Sequence, residues 1–234
     1  MIAHMTQAAR GTAIPSIIAH RGASGHAPEN SLEAFRLAQL LGADGVELDL
    51  QATADGGLLV HHDPMVPGFG DIASLTLEQL SQVRLPNGEA IPTLAEVMAA
   101  APALNIWIEV KGLDPQWDAS LLALIDRDPA PRRCAIHSFD HRIVARLGRA
   151  RPGLRTGVLS TSYLLDPVGQ LAGTGAAMLW QEHHLIDQAL VDIVAAAGVG
   201  IIAWTVNDPL EAGRLRSLGV AGLCGDYPEH LRVS

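Results

Sequence analysis

Nine short apolar runs, most of them followed by a stretch with helical spacing, set the strongest limit on how this chain folds. They are SIIAH (16–20), GVELDL (45–50), LLVHH (58–62), NIWIEVK (105–111), CAIHSF (134–139), RTGVLS (155–160), AMLWQ (177–181), GIIAWTV (200–206) and AGLCGD (221–226). Strands alternating with helices predict a parallel sheet. One spacing breaks the alternation. Only QATADGG (51–57) separates the second run from the third. That is too short for a parallel crossover but suits a hairpin. The third run is therefore predicted to be antiparallel to the second. The other eight can close into an α/β (β/α)8 TIM barrel, with a β-hairpin extension after the second strand.

Helix start signals support the same reading. Asn30 with Glu33, Thr76 with Gln79 and Thr93 with Glu96 have capping-box spacing or close to it. Asp-Pro pairs at 114–115, 166–167 and 208–209 suit an Asp N-cap followed by Pro in the first turn.

Of 234 residues, 48% are hydrophobic and 18% charged, enough for one large core. With no interdomain linker in view, a single domain is predicted over 15–234, after a loose tail at 1–14. The tail lacks the apolar stretch of a signal peptide. No run of about 20 apolar residues points to a membrane span. Cys134 and Cys224 sit inside apolar runs and read as core thiols of a cytoplasmic protein. The net charge of −9 argues against a nucleic-acid partner. An anionic small-molecule substrate would instead need a metal or a local group of Arg and Lys. Nothing in the sequence reports the oligomeric state.

Barrel strands point alternate residues inward. Glu47 and Asp49 share that face, and so do Trp107, Glu109 and Lys111. The polar members lie toward strand C-terminal ends, where this architecture builds active sites. His20 ends the first strand, and Arg21 follows it. If Asp55-Gly56 form a two-residue turn, Asp49 faces His62 across the hairpin; a one-residue slip would bring His61 there. Three carboxylates in a partly buried site repel unless a cation intervenes, and hard oxygen ligands suit Mg²⁺ or Ca²⁺. Arg21 and Lys111 suit a phosphate. His20 and His62 suit acid–base work near neutral pH. Together they describe a metal-dependent phosphodiesterase.

The chain resembles the glycerophosphodiester phosphodiesterase family. The resemblance lies in residues 19–64 (AHRGASGHAPEN through GGLLVHHDP), IPTLAEVM (91–98), NIWIEVKG (105–112), HSFDH (137–141) and AWTVND (203–208). It implies a barrel that cleaves glycerophosphodiesters to sn-glycerol 3-phosphate and an alcohol with one divalent metal. Position by position, it implies that His20 and His62 are catalytic and that Arg21 binds phosphate. It makes Glu47, Asp49 and Glu109 the metal ligands. It places Lys111 at or near the phosphate, Glu29 and Asn30 in a Pro-Glu-Asn element of the site, and Trp204 beside the glycerol.

Other readings stand beside these. Asn30 is well placed as a helix N-cap, and Glu29 suits a helix N-terminus. Asp63 before Pro64 is expected to begin a turn, with orientation of His62 as the alternative. Trp107 is expected to fill core, and Gln181 is a weak candidate for a polar role. His137 has no partner legible in sequence. Residues 63–89 depart from the family pattern, which leaves the cover over the site open. Related barrels cleave lysophospholipids or sphingomyelin, but no basic amphipathic helix speaks for a membrane-facing enzyme. A non-catalytic binding module should have lost a ligand or a His, and every matched position is present.

Overall fold

A computed structural model describes residues 14–232; the tail expected at 1–14 lies outside them up to residue 13. Every apolar run becomes a strand. The first three form β1 (Ser16–Ala19), β2 (Gly45–Ala52) and β3 (Leu58–Val60). A small antiparallel pair absent from the sequence reading follows, β4 (Met65–Val66) and β5 (Gly70–Asp71). The other six are β6 (Asn105–Gly112), β7 (Cys134–Ser138), β8 (Arg155–Ser160), β9 (Met178–Glu182), β10 (Gly200–Trp204) and β11 (Gly222–Gly225). Eight run parallel in the order β1-β2-β6-β7-β8-β9-β10-β11, and β11 pairs with β1 to close the barrel. Of the nine apolar runs, β3 alone stands outside the ring, antiparallel to β2.

The helices are α1 (Leu32–Leu40), α2 (Leu77–Leu80), α3 (Leu94–Ala100), α4 (Asp118–Asp126), α5 (His141–Ala150), α6 (Pro167–Ala172), α7 (Gln188–Ala196) and α8 (Pro209–Leu218). Thr76 and Thr93 make full capping boxes on α2 and α3. Asp166 and Asp208 cap α6 and α8 with Pro in the first turn, and Asp114 caps a 3-10 turn. The first cap differs from expectation. Ser31, not Asn30, caps α1, its Oγ accepting from the Ala34 amide at 3.0 Å. Asn30 has left-handed backbone (φ 57°), and its side chain is engaged with Asp49.

The hairpin register also differs by one residue. Leu50 faces Val60, and the His61 amide donates to the Asp49 carbonyl at 2.9 Å. The cause is the turn. Thr53 and Gly57 pair, so three residues make the loop, with Gly56 at φ 83°. A three-residue hairpin of this kind places its last residue in the left-handed region, which suits glycine.

Strand parity divides the core as expected. Val46, Leu48, Leu50, Ile106, Ile108 and Val110 face the helices and pack in one cluster with Phe35 and Leu94. Inside the barrel, Ile18, Trp107, Ala135, Trp180 and Cys224 form a smaller cluster, so Trp107 does fill core. Residues 63–89 do not build a separate domain. Val66, Ile72, Leu80 and Val83 pack under Leu59 of the hairpin. Both thiols are free and buried, and burial pushes Cys134 up to about 11. Among the described residues, no helix is long and apolar enough to cross a membrane.

One polar knot secures the floor opposite the site. Arg133, just before β7, donates to both oxygens of Asp128 at 2.9 and 2.6 Å, and to the carbonyls of Met98, Ala101 and Leu104. Removing one partner of a buried pair typically costs about 3–5 kcal/mol. Arg133→Met is expected to lower unfolding stability by about that range. Urea denaturation checks it, and a loss under about 1 kcal/mol would contradict it.

Candidate active site

The polar residues predicted at the strand ends meet in an open cleft of about 390 Å³ at the C-terminal mouth. His20 stands just beyond β1. Its Nδ1 donates to Asp226 Oδ1 at 2.7 Å, and Asp226 stands just beyond β11. Asp226 also accepts from Ser24 Oγ at 3.1 Å and Asn207 Nδ2 at 2.6 Å. Burial alone would raise this carboxyl; the hydrogen bonds from His20 and Asn207 outweigh it and hold it at about 2. A carboxylate on Nδ1 fixes the ring and leaves Nε2 for the cleft.

His62 is built the same way. Its Nδ1 lies 2.8 Å from Asp63 Oδ1, and Gln51 Nε2 donates to its carbonyl at 3.0 Å. Asp63 thus does more than begin a turn. Although the shifted register puts His61 opposite Asp49, β3 ends at Val60, and His62 is the imidazole lining the cleft.

Glu47, Asp49 and Glu109 are 2%, 1% and 8% exposed. Asp49 is matched by cations: Lys111 Nζ stands 2.9 Å from Oδ1 and Arg21 Nε 3.1 Å from Oδ2. Asn30 Nδ2 donates to Oδ2 at 2.8 Å, and Asn30 Oδ1 accepts from the Asp49 amide at 3.3 Å. Burial would raise Asp49, but Lys111 and Arg21 lower it on balance. Lys111 also reaches Glu109 Oε1 at 2.6 Å. Its own pKa is raised, because Asp49 and Glu109 outweigh burial. Arg21 is held by Glu29 Oε2 at 2.8 Å, and its backbone amide donates to Glu47 Oε2 at 3.1 Å. This requires left-handed backbone at Arg21 (φ 55°), an uncommon state for a residue with a Cβ.

Glu47 and Glu109 are pushed up, Glu47 strongly, by burial and by neighbouring carboxylates. Glu47 Oε1 is buried with no hydrogen-bond partner. One donor atom each from Glu47, Glu109 and His137 lies within 4.8 Å of the others. An excess of buried negative charge with an orphaned oxygen is what a divalent cation relieves. The residues fit such an ion. Asp49 stands outside this group, turned to Lys111 and Arg21.

His20, Arg21, Glu47, His62, Glu109 and Lys111 line the cleft, and Trp204 and Phe139 make its apolar wall, their rings 5.6 Å apart edge to face. Glu29 and Asn30 line the neighbouring groove and act on the site through Arg21 and Asp49. Gln181 is buried and donates to the Ser160 and Ser162 carbonyls.

The sequence reading missed Asp226, Asn207 and His137. His137 is stacked flat on Trp180 with centroids 4.1 Å apart, and burial lowers it to about 3, so it stays neutral. Parity could have found it, since it is the register partner of Glu109. Asp226 follows the last strand as His20 follows the first, and barrel closure makes them neighbours.

The model of the glycerophosphoryl diester phosphodiesterase family matches residues 20–230. A glycerophosphodiester phosphodiesterase of Caldanaerobacter subterraneus subsp. tengcongensis is 34% identical, over 92% of this chain and 95% of that one. The structure of an Oleispira antarctica phosphodiesterase in complex with the product sn-glycerol-3-phosphate superposes with a TM-score of 0.87 at 26% identity, covering 93% of this chain and 95% of that one. A glycerophosphodiester phosphodiesterase from Thermotoga maritima matches with a TM-score of 0.76 at 26% identity, over 92% and 96%. With the barrel, the acidic strand ends and a match over nearly the whole chain in agreement, this protein is a hydrolase belonging to the glycerophosphoryl diester phosphodiesterase family.

Proposed function

We propose that this chain cleaves glycerophosphodiesters to sn-glycerol 3-phosphate and an alcohol, with His20 and His62 exchanging protons, with Glu47 and Glu109 holding one divalent ion, Mg²⁺ or Ca²⁺, and with Asp49, now turned to Lys111 and Arg21, joining them as third ligand when the ion binds. The observation that carries the reading is two imidazoles, each backed by a carboxylate on Nδ1, facing one cleft with Arg21 and Lys111. The Oleispira relative binds sn-glycerol-3-phosphate, the product this reading requires.

Arg21 and Lys111 hold the phosphate oxygens, and Trp204 packs against the glycerol carbons. His20 Nε2 takes the proton of the attacking hydroxyl: that of water, which gives glycerol 3-phosphate in one step, or that of the neighbouring glycerol hydroxyl, which gives a cyclic phosphate that water then opens, breaking the new P–O bond and returning a proton to the glycerol oxygen. Asp226 steadies the imidazolium that forms. His62 gives its proton to the leaving alkoxide oxygen as the P–O bond breaks. When bound, the ion polarises the phosphoryl oxygen and offsets the charge of Glu47 and Glu109. The tie of Asp49 to Lys111 and Arg21 links the ion's ligands to the phosphate clamp. Two unpaired buried thiols suit a reducing, cytoplasmic setting.

The test is release of glycerol 3-phosphate from glycerophosphocholine. Activity should vanish with chelator and return with Mg²⁺ or Ca²⁺. No release with any ion would overturn the reading. One observation favours a second substrate class. Phe139 and Leu165, on loops at the mouth, are 47% and 95% exposed and could meet an acyl chain. Turnover of lysophosphatidylcholine without glycerophosphocholine would move the proposal to lysophospholipids.

A further inference from the structure

The loop after β9 carries donors that the cleft leaves unused. Glu182 ends the strand, and His183 and His184 open the 3-10 turn His183–Leu185. One donor atom of each lies within 4.8 Å of the others. His183 is held from behind. Its Nδ1 donates to Glu211 Oε1 at 2.9 Å, and Glu211 is gripped by Arg214 through Nε at 2.8 Å and Nη2 at 2.7 Å. Arg214 donates in turn to the carbonyls of Ile186 and His183, at 2.9 and 3.1 Å. A carboxylate behind one ring nitrogen sets the tautomer and aims the other at a metal.

The aimed atom is His183 Nε2. It faces Glu182 Oε1 at 3.9 Å, too far for a hydrogen bond. With Nδ1 carrying the proton, this is a lone pair facing a carboxylate oxygen, an arrangement that attracts a cation between them. Two ligands about 2.0–2.1 Å from one tetrahedral ion stand roughly 3.4 Å apart, so a closure of about half an ångström would seat both. His184 supplies the third donor. Its Nδ1 donates a hydrogen bond to Glu182 Oε1 at 2.7 Å, which a bound ion would replace, the ring moving back by about 0.7 Å and its proton passing to Nε2 or to solvent; the ring tilts over that of His183 with centroids 3.8 Å apart. At 74% side-chain exposure it is free to adjust.

We propose that Glu182, His183 and His184 form a second divalent-ion site, supported by Glu211 and Arg214 and open to water at the fourth position. Two imidazoles and one carboxylate select a borderline ion such as Zn²⁺ over Mg²⁺ or Ca²⁺. The site shares no ligand with Glu47 and Glu109. It flanks the cleft wall, because Glu182 is the strand partner of Trp204. The bland alternative is a network that merely ties the loop to α8. The two differ in what they bind.

The experiment is calorimetric titration of the full, chelator-treated chain with Zn²⁺ at pH 8. Whatever the catalytic cleft takes up, His184→Ala and Glu182→Gln should each bind one Zn²⁺ per chain fewer than wild type. Both should keep the wild-type circular dichroism and glycerophosphodiester turnover in Mg²⁺ or Ca²⁺. Zn²⁺ should bind with micromolar affinity or better, and more weakly at acid pH, because protons compete for imidazole. With Co²⁺ as probe, His183→Ala should remove the part of the visible d–d absorption that arises from this site. Equal Zn²⁺ stoichiometry in wild type and the two folded variants would overturn the proposal. So would an affinity no better than about millimolar.

Discussion

His20→Ala is expected to lower kcat by about 10³–10⁴-fold and to leave the melting temperature almost unchanged. The ring contributes little to the core, since His20 is partly exposed at the end of β1. Asp226 would keep its bonds to Asn207 and Ser24, so the variant leaves no buried carboxylate without a partner. The loss is therefore chemical. With no group to accept the hydroxyl proton, the attacking oxygen must lose it to solvent. Steady-state release of glycerol 3-phosphate, with circular dichroism beside it, measures both quantities. A variant within about tenfold of wild type would remove His20 from the mechanism.

Lys111→Met is expected to act on both activity and stability. Lys111 Nζ sits between Asp49 Oδ1 at 2.9 Å and Glu109 Oε1 at 2.6 Å. Removing it deletes one donor of the proposed phosphate clamp and leaves two buried carboxylates with less positive charge. The kcat/KM should fall by about 10²-fold or more, and stability in chelator by about 3 kcal/mol. The pH dependence has a definite sign. The pKa of Lys111 is raised in the folded chain. Its contribution is therefore complete below the ordinary lysine value of about 10.5 and is lost as pH climbs through the higher folded value. The stability gap between wild type and variant should shrink in strong alkali, as Lys111 loses its proton, and also in acid, as its carboxylate partners gain theirs. Glu47 and Glu109, also raised, act in the same direction but in a lower pH window. Their raised values mean that the chelated wild type gains stability as pH falls from neutral toward 5, since the folded form takes up protons first. Urea unfolding in chelator tests both trends. A Lys111→Met chain as stable as wild type would show that the pair of carboxylates needs no cation there.

The barrel was legible because parity and spacing are local and repeated. Eight runs with helices between them allow few topologies, and QATADGG allows only a reversal. The same parity put Glu47, Asp49 and Glu109 on the inner face. The hairpin register was not legible, because an Asp-Gly pair serves both two-residue and three-residue turns. Only the pairing of Thr53 with Gly57 decides between them. Asn30 and Ser31 are adjacent cap-forming residues, and the choice between them rests on Asp49, which occupies Asn30. Asp226 escaped notice because its partner lies 206 residues away in sequence and only barrel closure joins them. For Asp63 the sequence offers a turn first and orientation of His62 second, because the bond between them depends on where β3 ends, not on any motif.

The contact between His20 and Asp226 also bears on how the enzyme comes into being. The two residues belong to the turns after the first and last barrel strands, which pair directly in the closed ring. A growing polypeptide therefore carries His20 from the start but has nothing to orient its ring until residue 226 has left the ribosome. Incomplete chains, and chains truncated before β11, hold an acidic pocket and a loose imidazole and should be silent catalysts. Turnover in this protein reports that the ring has closed. Because contacts so distant in sequence form late, the appearance of activity during refolding should trail the recovery of helical signal.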